Sequence, residues 1–110
     1  MTSIPEGIIP IALDAMGGDH GPVVTVPAAL KAIGEGGVAI ALVGDAEALQ
    51  AELDKYDTPA KQLVQVVPAD GVVEEGEQPA RAFRSKPKAS IFVSAGAVKA
   101  GKAAGFVSMG

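Results

Sequence analysis

The chain has 110 residues, 48% of them apolar and 20% charged, which suffices for one modest globular core and not for two. It holds no cysteine and one histidine, which excludes disulfide staples, thiolate metal sites, a cysteine nucleophile and a multi-histidine metal cage. The net charge of −4 conceals a division: residues 1–77 carry all thirteen acids and three bases, a charge of −10, whereas residues 78–110 carry six bases and no acid.

Such segregation has two readings: the basic segment meets an anion, or it lies against the acidic part of the same fold. No nucleic-acid partner is expected, because the whole chain is acidic and offers three phenylalanines and one tyrosine for stacking. The uncharged run Ala89–Val98 spans about ten residues, short of the ~18 that a membrane span needs. No basic residue precedes an apolar run at the start, so no secretory signal is visible. The expected location is cytoplasmic, at most peripheral at the inner face of the membrane.

In chain order, Ile8–Leu13 reads as a first strand, with Pro10 tolerable only near its start or on an exposed side. Val26, Leu30 and Ile33 recur at helical spacing, and Gly34, Gly36 and Gly37 end that helix. Pro27 belongs in its first turn, behind Thr25 as the cap. Val38–Val43 is a second strand, apolar on both faces as a strand covered on each side should be.

Asp45 caps a second helix whose buried stripe is Ala46, Leu49 and Leu53, and Asp57-Thr58-Pro59 closes it with a turn. Leu63–Val67 is the third strand. The loop 68–78 is long and acidic, which predicts a solvated surface. Pro79 opens a short helix through Arg84, with Glu74, Glu75 and Glu77 near its positive end. Ser90–Lys99 forms the last helix, with Ile91, Ala95 and Val98 expected inward, and Ala103–Ser108 the fourth strand.

This alternation predicts an α/β fold: a Rossmann-like parallel sheet with right-handed crossovers and helices on both faces. In such sheets ligands bind just beyond the carboxyl ends of the strands. The chain stops at Gly110, where the loop after the fourth strand would begin. The expectation is therefore a single α/β unit over 1–110, incomplete, from the N-terminal part of a larger three-layer α/β/α enzyme.

The stretch Asp14-Ala15-Met16-Gly17-Gly18-Asp19-His20-Gly21-Pro22 lies between the first strand and the first helix. There a glycine-rich turn can aim backbone N–H groups at a phosphate. It does not match the dinucleotide fingerprint G-x-G-x-x-G, so NAD and FAD have no support. Two carboxylates beside the turn repel a lone phosphate, by roughly 1 kcal/mol for like charges ~4 Å apart in water. The loop therefore needs cations from elsewhere, a metal, or a ligand presenting hydroxyl and amide donors.

Asp14, at the strand's carboxyl end, is the candidate for orienting a ligand or accepting a proton; the plainer reading is that Asp14 and Asp19 cap the turn through their own backbone. His20 beside Asp19 suits acid–base chemistry, although an ordinary surface histidine reads the same. Gly96–Ala103 nearly matches the nucleotide-binding P-loop but puts Ala103 where a Ser or Thr must hold magnesium, and runs from helix to strand instead of strand to helix. Arg81, Arg84, Lys86 and Lys88 crowd before Ser90, either as a solvated basic turn or as the positive charge that the first loop lacks.

Together these residues resemble the amino-terminal part of the bacterial phosphate acyltransferases of phospholipid synthesis. The match rests on Ala12–Asp19 with His20 and Pro22, on Leu42–Asp45, on Pro79, Ala82, Arg84, Lys86 and Ser90, and on the closing Ser108-Met109-Gly110. The family's paired serines read Ala89-Ser90 here. The resemblance covers about a third of a typical member.

It implies transfer of a fatty acyl group from acyl carrier protein to inorganic phosphate, giving acyl phosphate for a membrane-bound acyltransferase downstream. It implies a homodimer at full length and no metal or cofactor. Asp14 is the expected catalytic residue, and Gly17, Gly18, Asp19, His20, Arg84, Lys86, Ser90, Ser108 and Gly110 the expected substrate contacts. Two alternatives stand: a non-catalytic module that binds an acidic partner through the basic segment, and a related acyltransferase that uses coenzyme A thioesters.

Overall fold

The computed structural model describes residues 4, 7–16, 21–71 and 78–108. Four strands, β1 (Ile11–Asp14), β2 (Ile40–Gly44), β3 (Val64–Pro68) and β4 (Phe106–Ser108), form one sheet in the order β3-β2-β1-β4, every pair parallel. The helices are α1 (Pro22–Gly36), α2 (Ala46–Leu53), α3 (Pro79–Ser85) and α4 (Ser90–Lys99), with a 3₁₀ turn at Pro59–Leu63. The predicted α/β class holds: the sheet is parallel and open, and its strand order is that of the first four strands of a doubly wound fold.

Helices cover both faces. On one, Val26, Ala29, Leu30 and Ile33 of α1 and Leu49 and Leu53 of α2 pack with Ile40, Leu42, Val64 and Val66 of the sheet. On the other, Val93, Ala97 and Val98 of α4 pack with Ala12, Val43 and Val67. β2 is buried at every position because it has helices above and below and strands on both sides. Among the described residues no helix is long and apolar enough to cross a membrane.

Several expected boundaries move, each for a local reason. β1 starts at Ile11, not Ile8, and Ile8 and Ile9 are exposed. β1 sits between β2 and β4, a place where Pro10, lacking an N–H, cannot join the ladder; its carbonyl instead accepts from Ala104 N–H at 2.9 Å. β4 is shorter than expected, because Lys102 and Ala103 N–H groups turn back to the Ala97 carbonyl and close α4.

α1 begins at Pro22, so Thr25 is not its cap and Pro27 lies beyond the first turn. Gly21 takes the capping position with φ 55° and ψ −137°, which a residue with a Cβ rarely adopts. Pro27 leaves the Val23 carbonyl without a helical donor, and Val23 is exposed to solvent.

The inward face of α4 also differs from the expectation. Ala95 is exposed, while Ser90 and Ser94 are buried along with the Val93, Ala97 and Val98 side. Both serines count as polar in a periodicity argument, yet Ser94 satisfies its hydroxyl by donating to the Ser90 carbonyl at 2.8 Å. The Asp45 prediction holds: its carboxylate accepts from Glu47 and Ala48 N–H groups at 3.0 and 3.3 Å. Glu74, Glu75 and Glu77 lie outside the described residues.

Candidate functional site

All four strands are parallel, so their carboxyl ends lie along one rim. From β1 the chain moves outward to β2 and β3 on one side, then crosses to β4 on the other. β1 and β4 therefore flank the point where strand order reverses, where an open α/β sheet has its ligand crevice. Asp14 is the last residue of β1, paired in register with Ser108, the last of β4.

Register alone brings these two side chains onto one face. Ser108 Oγ donates to Asp14 Oδ2 at 3.2 Å, and Met16 N–H donates to Oδ1 at 3.2 Å. One oxygen thus caps the turn after β1, as the turn-capping reading expects, and the other meets Ser108 of β4. Asp14 is 3% exposed.

α4 covers the Ala12 and Asp14 face of the sheet. Its amino end is tied to the same rim: Ser90 N–H donates to the Gly71 carbonyl at 3.1 Å, Asp70 N–H to Lys88 at 2.7 Å, and Ala69 N–H to Gly44 at 2.8 Å. The positive end of the helix dipole therefore faces the rim that holds Asp14. Ser90 opens this helix at 1% exposure, and its Oγ is the buried side-chain polar atom without a hydrogen-bond partner among the described residues. The Cα–Cβ bond in a helix tilts toward the amino terminus, which carries this hydroxyl to the rim end.

Of the expected basic contacts, Lys86 caps the C-terminus of α3, is half-buried and lies beside Gly71 just after β3, and Arg84 is exposed in the last turn of α3. Lys86 thereby lies near the segment that the Asp70 and Ser90 hydrogen bonds tie to the rim, after β3. Phe83, 56% exposed, packs obliquely on Phe92 at 5.0 Å between ring centroids. Gly17, Gly18, Asp19, His20 and Gly110 lie outside the described residues.

The carboxylates elsewhere do other work. Glu52 accepts from Lys55 at 2.8 Å; that hydrogen bond, then the charge, hold the exposed Lys55 ammonium above its ordinary value. Such a surface pair contributes little to stability. Among the described residues no three His, Cys, Asp or Glu side chains converge as a metal cluster.

Two contributors escape a reading by motif. Thr25, 3% exposed, donates to the Ala15 carbonyl at 2.8 Å and lies 3.1 Å from the Gly21 carbonyl, spanning both stems of the glycine-rich loop. Gly44 leaves room for Met16: a Cβ on Gly44 would lie 2.5 Å from Met16 Cγ and 2.6 Å from its Sδ. A threonine in the first turn after a loop reads as a cap, and nothing local in the chain pairs residue 16 with residue 44.

The family model described as "Fatty acid synthesis protein" matches residues 9–110. A protein of Picosynechococcus sp. named phosphate acyltransferase is 47% identical over 100 residues, 91% of this chain and 27% of that protein. Those of Thermosynechococcus vestitus and Deinococcus radiodurans, with the same name, are 47% and 45% identical over 91% and 94% of this chain, and 28% of each relative. The chain thus spans less than a third of the length of these relatives. With nearly its whole length matched, the chain belongs to the fatty acid synthesis protein family.

Proposed function

We propose that the protein carrying this chain transfers a fatty acyl group from acyl carrier protein to inorganic phosphate and yields acyl phosphate for phospholipid synthesis. The reading is supported by the relatives named phosphate acyltransferase and, above all, by one observation: the Asp14–Ser108 pair stands at the strand-order reversal, on the carboxyl rim.

In this reading a phosphate oxygen attacks the thioester carbonyl. The C–S bond then breaks, and the thiolate of the carrier leaves and takes up a proton. Asp14 accepts the proton that the attacking phosphate gives up, and Ser108 fixes the carboxylate that receives it. Charge growing on the thioester oxygen needs fixed donors, which the Gly17–Gly18 backbone, the Ser90 hydroxyl and the positive end of α4 would supply.

Asp19, His20 and Gly110 are further substrate contacts in this reading. Arg84 and Lys86 provide the positive charge that holds phosphate or the acidic carrier.

The test is Asp14→Asn in the full-length protein. Acyl-phosphate formation should fall at least about tenfold with the fold intact, since a general base contributes 10²–10⁴-fold. An unchanged rate removes Asp14 from the reaction. Offering acyl carrier protein and coenzyme A thioesters as donors in one assay decides between the carrier and coenzyme A.

A further inference from the structure

The Asp14 carboxylate is held through a peptide group that another side chain controls. Ala15 C=O and Met16 N–H belong to one planar peptide unit. Its N–H donates to Asp14 Oδ1 at 3.2 Å, and its C=O accepts from the Thr25 hydroxyl at 2.8 Å. The preceding Ala15 N–H is already committed to the Val43 carbonyl at 3.0 Å, and Ala15 is fully buried. The second carbonyl near Thr25, that of Gly21, accepts from the N–H groups of Val24 at 3.1 Å and Thr25 at 3.0 Å, so it does not depend on the hydroxyl.

We infer that Thr25 is a positioning residue for Asp14, acting through the 15–16 peptide. Donation to the carbonyl fixes the plane of that peptide and polarises its N–H, which strengthens the bond to Oδ1. With Oδ1 held, the carboxylate has one orientation left, and Oδ2 faces Ser108 on β4. The chain of contacts runs from α1 through the turn to β1 and on to β4, so a helix on one face of the sheet orients a carboxylate on the other. The position of Thr25 follows from where α1 starts: with Gly21 as cap, residue 25 is buried against the end of β1.

The inference rests on the role proposed for Asp14, and its experiment separates the two. Thr25→Val keeps the shape and removes the donor; Thr25→Ser keeps the donor. Both are made in the full-length protein, with kcat, KM for phosphate, and the exchange rate of the Met16 amide by NMR as readouts.

Thr25→Val should lower kcat about tenfold with KM for phosphate changed by less than about twofold, and should speed Met16 amide exchange about tenfold; Thr25→Ser should restore both. If Thr25→Val does not fold, Thr25→Ala set against Thr25→Ser gives the same contrast. A Met16 amide that exchanges at the wild-type rate in the variant without the hydroxyl overturns the inference. So does an equal loss of kcat in the Val and Ser variants, which marks packing alone. If Asp14→Asn leaves the rate unchanged, the role of Asp14 fails, and the Met16 exchange still decides whether Thr25 orients it.

Discussion

Ser108 Oγ meets Asp14 Oδ2 across 3.2 Å, although 94 residues separate them along the chain. The contact is a consequence of register: parallel pairing sets the last residue of β1 against the last residue of β4, on one face. A slip of β4 by one residue turns Ser108 to the face opposite Asp14. The carboxylate and the hydroxyl therefore form a unit that exists only when the crossover through α3 and α4 has delivered β4 to its edge.

Ser108→Ala in the full-length protein should reduce kcat by about tenfold to a hundredfold, the worth of a hydrogen bond to a charged group. Combined with Asp14→Asn, the second substitution should add little, because the hydroxyl acts through the carboxylate. A double-mutant cycle measures this directly; fully additive losses would mean that the two residues act separately.

Gly44→Ala should move Met16. The new Cβ falls on Met16 Cγ and Sδ, in the middle of that side chain and not at its tip. Denaturant unfolding should show a loss of about 1–3 kcal/mol for this overpacking. Adding Met16→Ala should recover part of it. No recovery in the double variant would show that the clash is with something other than Met16.

Leu49→Ala removes a fully buried side chain from the core between α2 and the sheet, and should cost about 2–5 kcal/mol. Asp45→Ala removes two hydrogen bonds at the start of the same helix and should cost about 1 kcal/mol. The ratio is the informative quantity: chemical denaturation of both variants should show packing outweighing the cap severalfold.

Reversing charge at Arg84 and Lys86 together should weaken binding of acyl carrier protein at least about tenfold at low salt, with a smaller difference at high salt, because charges near a surface are screened over about 10 Å at 0.1 M salt. Titration of the carrier against the wild-type and reversed proteins reads the difference. Equal affinities would end the docking assignment.

The four strands, the order of helices between them, the Asp45 cap and the Leu49–Leu53 stripe were legible from local chemistry, because each depends on residues within a few positions of one another. The octapeptide Ala12–Asp19 likewise pointed to the rim of β1 as the place to look. The chain's polar residues misled where their partners lay far away. Thr25 read as a cap, since nothing nearby announces that its hydroxyl serves the Ala15 carbonyl. Ala95 read as part of the inner face of α4, whereas it is exposed and Ser90 and Ser94 are buried instead.

By itself, then, the sequence determined which segments become strands and helices and that the sheet is parallel, because hydrophobic periodicity and capping are short-range properties. The tertiary structure alone decided that Asp14 faces Ser108, that Met16 fills the space left by Gly44, and that Thr25 reaches the 15–16 peptide. Those contacts depend on strand register and on which face each helix covers. Both are settled by burial over the whole sheet and not by any local run of residues.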